Sequence, residues 1–375
     1  MKILLAGGGS GGHFYPLIAV ARSLKDIAER ERIVSLEISF ISPNPYDPDL
    51  LREEEIKFIK APAGKIRRYF SFLNALDVVK TGWGILSALT SIYLNFPDVI
   101  FAKGGYASFP ALVAAKIFRI PLIIHESDVI PGRVSLWASR FAHRVAISFP
   151  QSLKYFSPEK TALTGNPVRR QVFGGSLEEA WELFGLESAL DTILVLGGSQ
   201  GAEHLNNVIL EILPELVKSA QIIHQTGRSN LAEIKLRSSL ILKSSPFQKR
   251  YHPYGFLNEG ALRNAYKVSA LAIVRAGGGT IFELAAGGLA AILIPLPSAA
   301  QDHQRENAYA YARSGAGVVL EEENLTPHIL LSELSKLLTN PSRRAEMSRL
   351  AQSFSKVDAS ERIAEEIIKL ALEHS

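Results

Sequence analysis

Short, continuous apolar runs alternate with longer stretches of helical period along the whole chain. Ile3 to Ala6, Ile38 to Ile41, Val99 to Ala102, Leu122 to Ile124 and Val145 to Ser148 are apolar but for Ser39 and Ser148, as strands buried on both faces require. The segments between them carry apolar residues at helical spacing, as Leu17, Val20 and Leu24 do. This alternation predicts crossover helices on parallel sheets, an α/β fold. The pattern begins afresh at Thr192 to Leu196 and continues through Ile222 to His224, Leu271 to Val274, Ala290 to Ile294 and Val318 to Leu320. Two doubly wound halves are therefore expected.

Between the halves, Thr164-Gly165-Asn166-Pro167-Val168-Arg169-Arg170 carries Gly and Pro just where a strand pattern ends. The linker is placed there, with residues 1–165 as a first domain and 166–342 as a second. A second crossing is expected near Asn340-Pro341-Ser342. Beyond it Ile363, Ile367 and Leu370 recur at helical spacing, so a terminal helical segment over about 343–375 is expected to pack back on the first domain.

Composition narrows the chemistry. At 375 residues and 47% hydrophobic the chain can build two cores. The absence of cysteine excludes disulfides, thiolate metal sites and a thiol nucleophile, and is compatible with a reducing cytoplasm. The amino terminus runs from Met1 through Leu5 straight into glycines, and lacks the apolar core and cleavage site of a secretory signal. Ala111 to Ile124 is interrupted by Lys116, Arg119 and Pro121, short of the roughly 18 apolar residues a membrane span needs, so a soluble or peripheral protein is expected. A formal charge of +4 without an aromatic-interleaved basic tract argues against nucleic acid and suits anionic lipids or phosphates.

The candidate chemistry sits at strand-glycine-helix junctions. Gly7-Gly8-Gly9-Ser10-Gly11-Gly12-His13 follows the first strand and satisfies a dinucleotide-type GxGxxG, although no well-placed acidic residue follows about 20 positions on. Gly197-Gly198-Ser199-Gln200-Gly201-Ala202 and Arg275-Ala276-Gly277-Gly278-Gly279-Thr280-Ile281-Phe282-Glu283 repeat the arrangement in the second half, and Lys103-Gly104-Gly105-Tyr106 does so in the first. Helix amino termini present unpaired amides and partial positive charge, so such junctions can hold a diphosphate without a metal. Glu283, about one turn into its helix, is suited to accept both ribose hydroxyls of a nucleotide; a first-turn Glu complementing the helix dipole is the plainer reading. Asp47-Pro48-Asp49 imitates a metal-binding pair by letters only and reads as a solvated loop. The histidines show no metal-ligand spacing. Lys65, Arg67, Arg68, Tyr69, Phe70 and Phe72, extended by Trp83, Ile85, Leu86 and Leu89, suit acidic headgroups or ordinary core packing about equally.

Taken together, the blocks at 7–13 with Pro16, Gly104 to Ser108, His125-Glu126-Ser127-Asp128 with Pro131-Gly132, Gly165 to Arg169, Gly197 to Ala202, Arg275 to Glu283 and Asp302-His303-Gln304 with Asn307-Ala308 resemble the MurG family in sequence and order over nearly the whole chain. The resemblance implies a GT-B fold, two Rossmann-like doubly wound parallel-sheet domains facing a central cleft. It implies inverting transfer of N-acetylglucosamine from UDP-GlcNAc to the 4-hydroxyl of undecaprenyl-pyrophosphoryl-N-acetylmuramyl-pentapeptide, with no cofactor, at the cytoplasmic face of the inner membrane. An anionic membrane surface and other cell-wall synthesis proteins are the further partners it implies. By the same resemblance Ser199, Gln200 and Gly201 meet the phosphates, Gly279 and Thr280 supply helix-start contacts, Glu283 takes the ribose and Leu257 the uracil. Arg169 reaches the donor, and His303 and Gln304 read the sugar. Ser10, Gly11, Gly12, His13, Tyr106 and Asp128 serve the reacting centre and the acceptor. Ser10 stands for the usual Thr and keeps its hydroxyl. His13 is the first choice for the base that deprotonates the acceptor, with Glu126 and Asp128 as carboxylate rivals. Another GT-B nucleotide-sugar enzyme such as an epimerase, a nicotinamide oxidoreductase and a non-catalytic UDP-sugar sensor are the alternatives.

Overall fold

A computed structural model describes residues 1–64, 73–197 and 202–373. The chain divides into two compact units, Met1–Val168 with Lys356–Ser375, and Arg169–Ser355.

The first unit runs β1 (Lys2–Ala6), α1 (Gly11–Arg30), β2 (Glu37–Ser42), α2 (Pro48–Glu53), β3 (Lys57–Lys60), α3 (Leu73–Asn95), β4 (Val99–Ala102), α4 (Gly105–Phe118), β5 (Leu122–Glu126), α5 (Arg133–Ser139), β6 (Arg144–Ile147) and β7 (Thr161–Leu163). Its strands form one parallel sheet in the order β3-β2-β1-β4-β5-β6-β7. The interior strands are largely apolar because both faces are covered. Ile3, Leu5, Phe101 and Ile123 meet α1 on one face, while Leu4, Ile100, Leu122 and Ile124 point to the face of α3 and α4.

The second unit runs α6 (Leu177–Phe184), β8 (Thr192–Leu196), α7 (Glu203–Leu216), β9 (Gln221–Gln225), α8 (Leu231–Ile241), β10 (Tyr251–Tyr254), α9 (Glu259–Val268), β11 (Ser269–Val274), α10 (Gly278–Gly287), β12 (Ala291–Leu293), α11 (His303–Ala312), β13 (Gly317–Val319), α12 (Pro327–Leu338) and α13 (Pro341–Phe354). Its parallel sheet has the order β10-β9-β8-β11-β12-β13. The last helix, α14 (Ala359–Glu373), belongs to the first unit. It lays Ile363, Ile367, Ile368 and Leu370 into the same core as α1.

Both sheets reverse their strand order at one place, between β1 and β4 in the first unit and between β8 and β11 in the second. Ligands of open α/β sheets bind outside the carboxyl ends of the strands at such a switch point, where crossovers diverge and leave a crevice. The four glycine junctions begin at these four strand ends: Gly7 after β1, Lys103 after β4, Gly197 after β8 and Arg275 after β11.

Three strands escape the apolar-run reading. β3, β7 and β10 lie at sheet edges, where one side lacks a strand partner and the sequences Lys-Phe-Ile-Lys, Thr-Ala-Leu and Tyr-His-Pro-Tyr are short or mixed. The unit boundary falls after Val168, three residues beyond the expected 165. The expected crossing at Asn340-Pro341 is instead the start of α13: the Asn340 side chain accepts the Arg343 N–H and Pro341 takes the first helical position. α13 stays with the second unit because Phe354 packs on Phe282 and Tyr311, with ring centroids 5.3 and 5.1 Å away. The chain returns to the first unit at Lys356.

Candidate active site

In the first unit the chain passes from β1 through Gly7–Gly9 into α1, whose N-cap Ser10 is extended, its carbonyl accepting the N–H groups of His13 and Phe14 at 3.1 and 3.0 Å. His13 thus stands in the first turn, half-buried, beside the end of β4. Its Nδ1 lies 3.2 Å from the carbonyl oxygen of Lys103. A carbonyl can only accept, so Nδ1 carries the hydrogen and the ring's basic lone pair is on Nε2. Gly105 lies against the imidazole: a Cβ there would come 3.3 Å from Cε1, and its backbone, at φ +75°, disfavours any other residue. The Tyr106 hydroxyl lies over the loop, 2.7 Å from where a Cβ of Gly9 would be. Ser10, Gly11 and Gly12 line the accessible side of this turn.

Glu126 ends β5 and is 5% exposed. Its carboxylate accepts the Asp128 N–H at 3.1 Å, the Gly132 N–H at 3.0 Å and the Ser135 hydroxyl. Burial, and then the neighbouring Asp128, raise its pKa to about 7 against those hydrogen bonds. Geometry therefore makes Glu126 the anchor of the 127–132 turn rather than a group presented to a substrate. Asp128 is half-buried, and its carbonyl receives the Ser152 hydroxyl at 2.8 Å. The stretch expected as a solvated loop is instead a helix start: Asp47 caps α2 through the Leu50 N–H at 3.1 Å, with Pro48 at the first helical position and Asp49 exposed in the first turn.

In the second unit, Glu283 lies in α10 and is 8% exposed. Arg169 grips it in a fork, Nε to Oε1 at 2.8 Å and a terminal nitrogen to Oε2 at 3.1 Å, and the Tyr266 hydroxyl donates to Oε2 at 3.2 Å. Arg169 also stands 3.7 Å from Glu259. Arg169 and Glu283, both expected at the donor, thus face each other. A carboxylate offers about four acceptor positions, and three are in use among the described residues. Gly279 and Thr280 occupy the half-buried first turn of α10, which has no side-chain cap. Those amides stay available to an anion.

The Leu257 N–H donates to Gln225 Oε1 at 2.9 Å, so a base reading this backbone must compete with the Gln225 side chain. Gln304 Oε1 accepts the Leu296 N–H at 3.0 Å, which commits that oxygen to the β12 exit rather than to a sugar hydroxyl. His303 Nδ1 donates to the Ala300 carbonyl at 2.7 Å, leaving its basic nitrogen on the ring's other side. Ser199, Gln200 and Gly201 lie outside the described residues, as do Lys65, Arg67, Arg68, Tyr69, Phe70 and Phe72.

Two groups went unread as side chains in the sequence. By sequence Lys103 is only the start of a glycine segment and Asn166 only part of the linker. Lys103 is 2% exposed, with Nζ 2.6 Å from His125 Nδ1 and 2.8 Å from Asn166 Oδ1. The available signal was a lysine closing an otherwise apolar buried run. On α3, Leu76, Val79, Trp83 and Leu86 are 57–72% exposed, at spacings that put them on one stripe, and Lys80 is exposed beside them. Ile85 and Leu89 turn partly inward, while Ala88 and Ile92 are buried. No helix among the described residues is long and apolar enough to cross a membrane.

Residues 3–147 match the glycosyltransferase family 28 N-terminal domain and residues 192–363 the glycosyltransferase family 28 C-terminal domain. The UDP-N-acetylglucosamine–N-acetylmuramyl-(pentapeptide) pyrophosphoryl-undecaprenol N-acetylglucosamine transferase of Clostridium tetani is 33% identical over 341 residues, covering 90% of each chain. The enzyme of the same name from Thermodesulfovibrio yellowstonii is 35% identical over 375 residues, covering 97% of each. The crystal structure of Acinetobacter baumannii MurG superposes with a TM-score of 0.72 at 26% identity, covering 98% of this chain and 99% of that one.

Proposed function

On the premise that this chain belongs to the family of UDP-N-acetylglucosamine–N-acetylmuramyl-(pentapeptide) pyrophosphoryl-undecaprenol N-acetylglucosamine transferases, we propose that it makes the glycosidic bond between N-acetylglucosamine and a lipid-linked N-acetylmuramyl-pentapeptide. The observation that carries this reading is the 33–35% identity to transferases of one name over 90–97% of the chain.

The donor, UDP-GlcNAc, falls to the second unit. The diphosphate meets the open first turn of α10 at Gly279 and Thr280, with Ser199, Gln200 and Gly201 as the second phosphate junction. Glu283, held by Arg169 and Tyr266, offers its remaining acceptor position to a ribose hydroxyl. Leu257 serves the uracil and His303 with Gln304 the sugar, subject to the internal bonds those side chains make.

The acceptor hydroxyl falls to the first unit. His13 Nε2 takes the hydroxyl proton as the oxygen attacks the anomeric carbon, and the bond from that carbon to the diphosphate breaks with its electrons leaving on UDP. Attack opposite the leaving group inverts the anomeric configuration. The Lys103 carbonyl supports the base role because it fixes the tautomer with the proton acceptor on Nε2. Helix-start amides, rather than a metal, offset the charge on UDP, so turnover is expected to survive a chelator.

A membrane surface is the further partner. The exposed apolar stripe of α3 with Lys80 beside it suits insertion among anionic headgroups at the cytoplasmic face, where a lipid-linked acceptor would lie.

Incubation with labelled UDP-GlcNAc and a lipid-linked muramyl-pentapeptide tests the activity. Label passing to the lipid with equimolar UDP supports the transferase. Epimerised UDP-sugar without acceptor would favour an epimerase, and binding without turnover a sensor.

A further inference from the structure

A lysine buried to 2% exposure at the carboxyl end of an interior strand is costly, because an apolar side chain of similar volume would fill the space without dehydrating an ammonium. Lys103 is placed with some precision. Gly7 lets its stem pass: a Cβ at Gly7 would come 3.2 Å from the Lys103 Cβ. Its Nζ donates to His125 Nδ1 and to Asn166 Oδ1. His125 Nε2 in turn donates to the Gly165 carbonyl at 3.0 Å, so the histidine is neutral and relays one hydrogen bond. Burial, and then the Lys103 charge, push its pKa well down. The ammonium thereby ties the end of β4 to the end of β5 and to the chain leaving β7. The carbonyl of this same residue holds the His13 ring.

We propose that Lys103 is a positioning residue for the transfer reaction: its ammonium, fastened to His125 and Asn166, fixes the main-chain carbonyl that orients the His13 imidazole. This rests on the reading of His13 as the base. The groups that bear on Lys103 are His13 from α1, His125 and Glu126 from β5, Asp128 from the following turn and Asn166 from the exit of β7. Burial lowers the lysine's pKa to about 7, while Glu126 and Asp128 oppose that shift. Near neutrality the ammonium therefore gives way to an amine, whose hydrogen bonds lack the assistance of charge.

The test compares kcat, both KM values and their pH dependence for wild type, Lys103→Met, Lys103→Gln and His13→Ala. Lys103→Met should lower kcat about 10- to 100-fold near pH 7, as small misplacements of reacting groups do. KM for UDP-GlcNAc should stay within about twofold, since the second unit is untouched. The ratio of wild-type to Lys103→Met kcat should narrow as pH rises above 7, because the wild type then loses the same charge. Lys103→Gln keeps an amide donor and guards against a fold defect; it should melt near wild type and show the same narrowing. Unchanged kcat in both Lys103 variants, or a ratio flat across pH, would overturn the proposal while leaving His13 as the base if His13→Ala is inactive. Near-normal turnover in His13→Ala would remove the base reading, and this proposal with it.

Discussion

Arg169 and Glu283 are 114 positions apart, yet each is over nine-tenths buried and each spends its charge on the other. Removing one partner of such a pair strands the other's charge, at a cost of about 3–5 kcal/mol, whereas replacing both by apolar residues is often close to neutral. Glu283→Ala should therefore lower both the melting of the second unit and the affinity for UDP. Arg169→Met with Glu283→Met should recover most of the melting but none of the UDP affinity. Calorimetric UDP titration beside thermal unfolding separates the two effects; recovery of both would show that the pair serves folding alone. His224 supplies a pH handle in the same unit. Its Nδ1 faces the Tyr251 hydroxyl at 2.8 Å and its Nε2 faces Asn206 Oδ1 at 3.0 Å, and burial lowers its pKa to about 3. Between the ordinary value of 6.5 and about 3 the unfolded chain binds a proton that the folded one does not. The stabilisation is therefore whole above 6.5 and is lost as pH falls. Urea unfolding of wild type should lose about 1.4 kcal/mol more per pH unit over that window than His224→Gln. Parallel pH curves would refute this. These pairings were not legible in the sequence: glycine junctions announce themselves by local spacing, but a buried ion pair or a lysine set against a distant asparagine depends on topology.

At the scale of elements, local pattern served best where burial was two-sided. The strands bordering each switch point, β1, β4, β8 and β11, are apolar after their first residue, and the apolar runs match them within about two residues at their ends. β3, β7 and β10 have no such match, because an edge strand can be short and mixed without exposing a core. α13 departs from the expected crossing because Asn340-Pro341 marks a helix start as readily as a break. α3 shows the opposite case, an apolar stripe that packing does not consume. Leu76, Val79, Trp83 and Leu86 face outward while Ala88 and Ile92 face the core, so the helix buries one side and offers the other. Trp83→Ser with Leu86→Ser should weaken sedimentation with anionic vesicles at least tenfold, since burying each side chain is worth about 1.5–3 kcal/mol. Melting should stay within about 2 °C, because exposed positions contribute little to the fold. Vesicle binding that persists in this variant would place the contact elsewhere.

The chain as a whole leaves its first unit at Val168, builds the second unit, and returns at Lys356. The return makes the stability of the first unit depend on residues more than 180 positions downstream of its own last strand. α14 buries Ile363, Ile367, Ile368 and Leu370 at 5% exposure or less in the core shared with α1. At about 1.5–3 kcal/mol each these four side chains contribute roughly 6–12 kcal/mol before entropy, comparable to the roughly 5–15 kcal/mol that holds a domain folded. Arg30 to Glu361 and Arg144 to Glu366, at 3.1 and 2.7 Å, add little because they are exposed. A stop codon after Ser355 should therefore unfold the first unit and abolish transfer, yet spare the second, whose sheet and α13 are complete without α14. UDP affinity should remain within about threefold of wild type, since every residue assigned to the donor precedes the stop and truncation tolerance follows burial of the affected backbone. Loss of UDP binding together with transfer would mean that the second unit cannot hold its donor without the first.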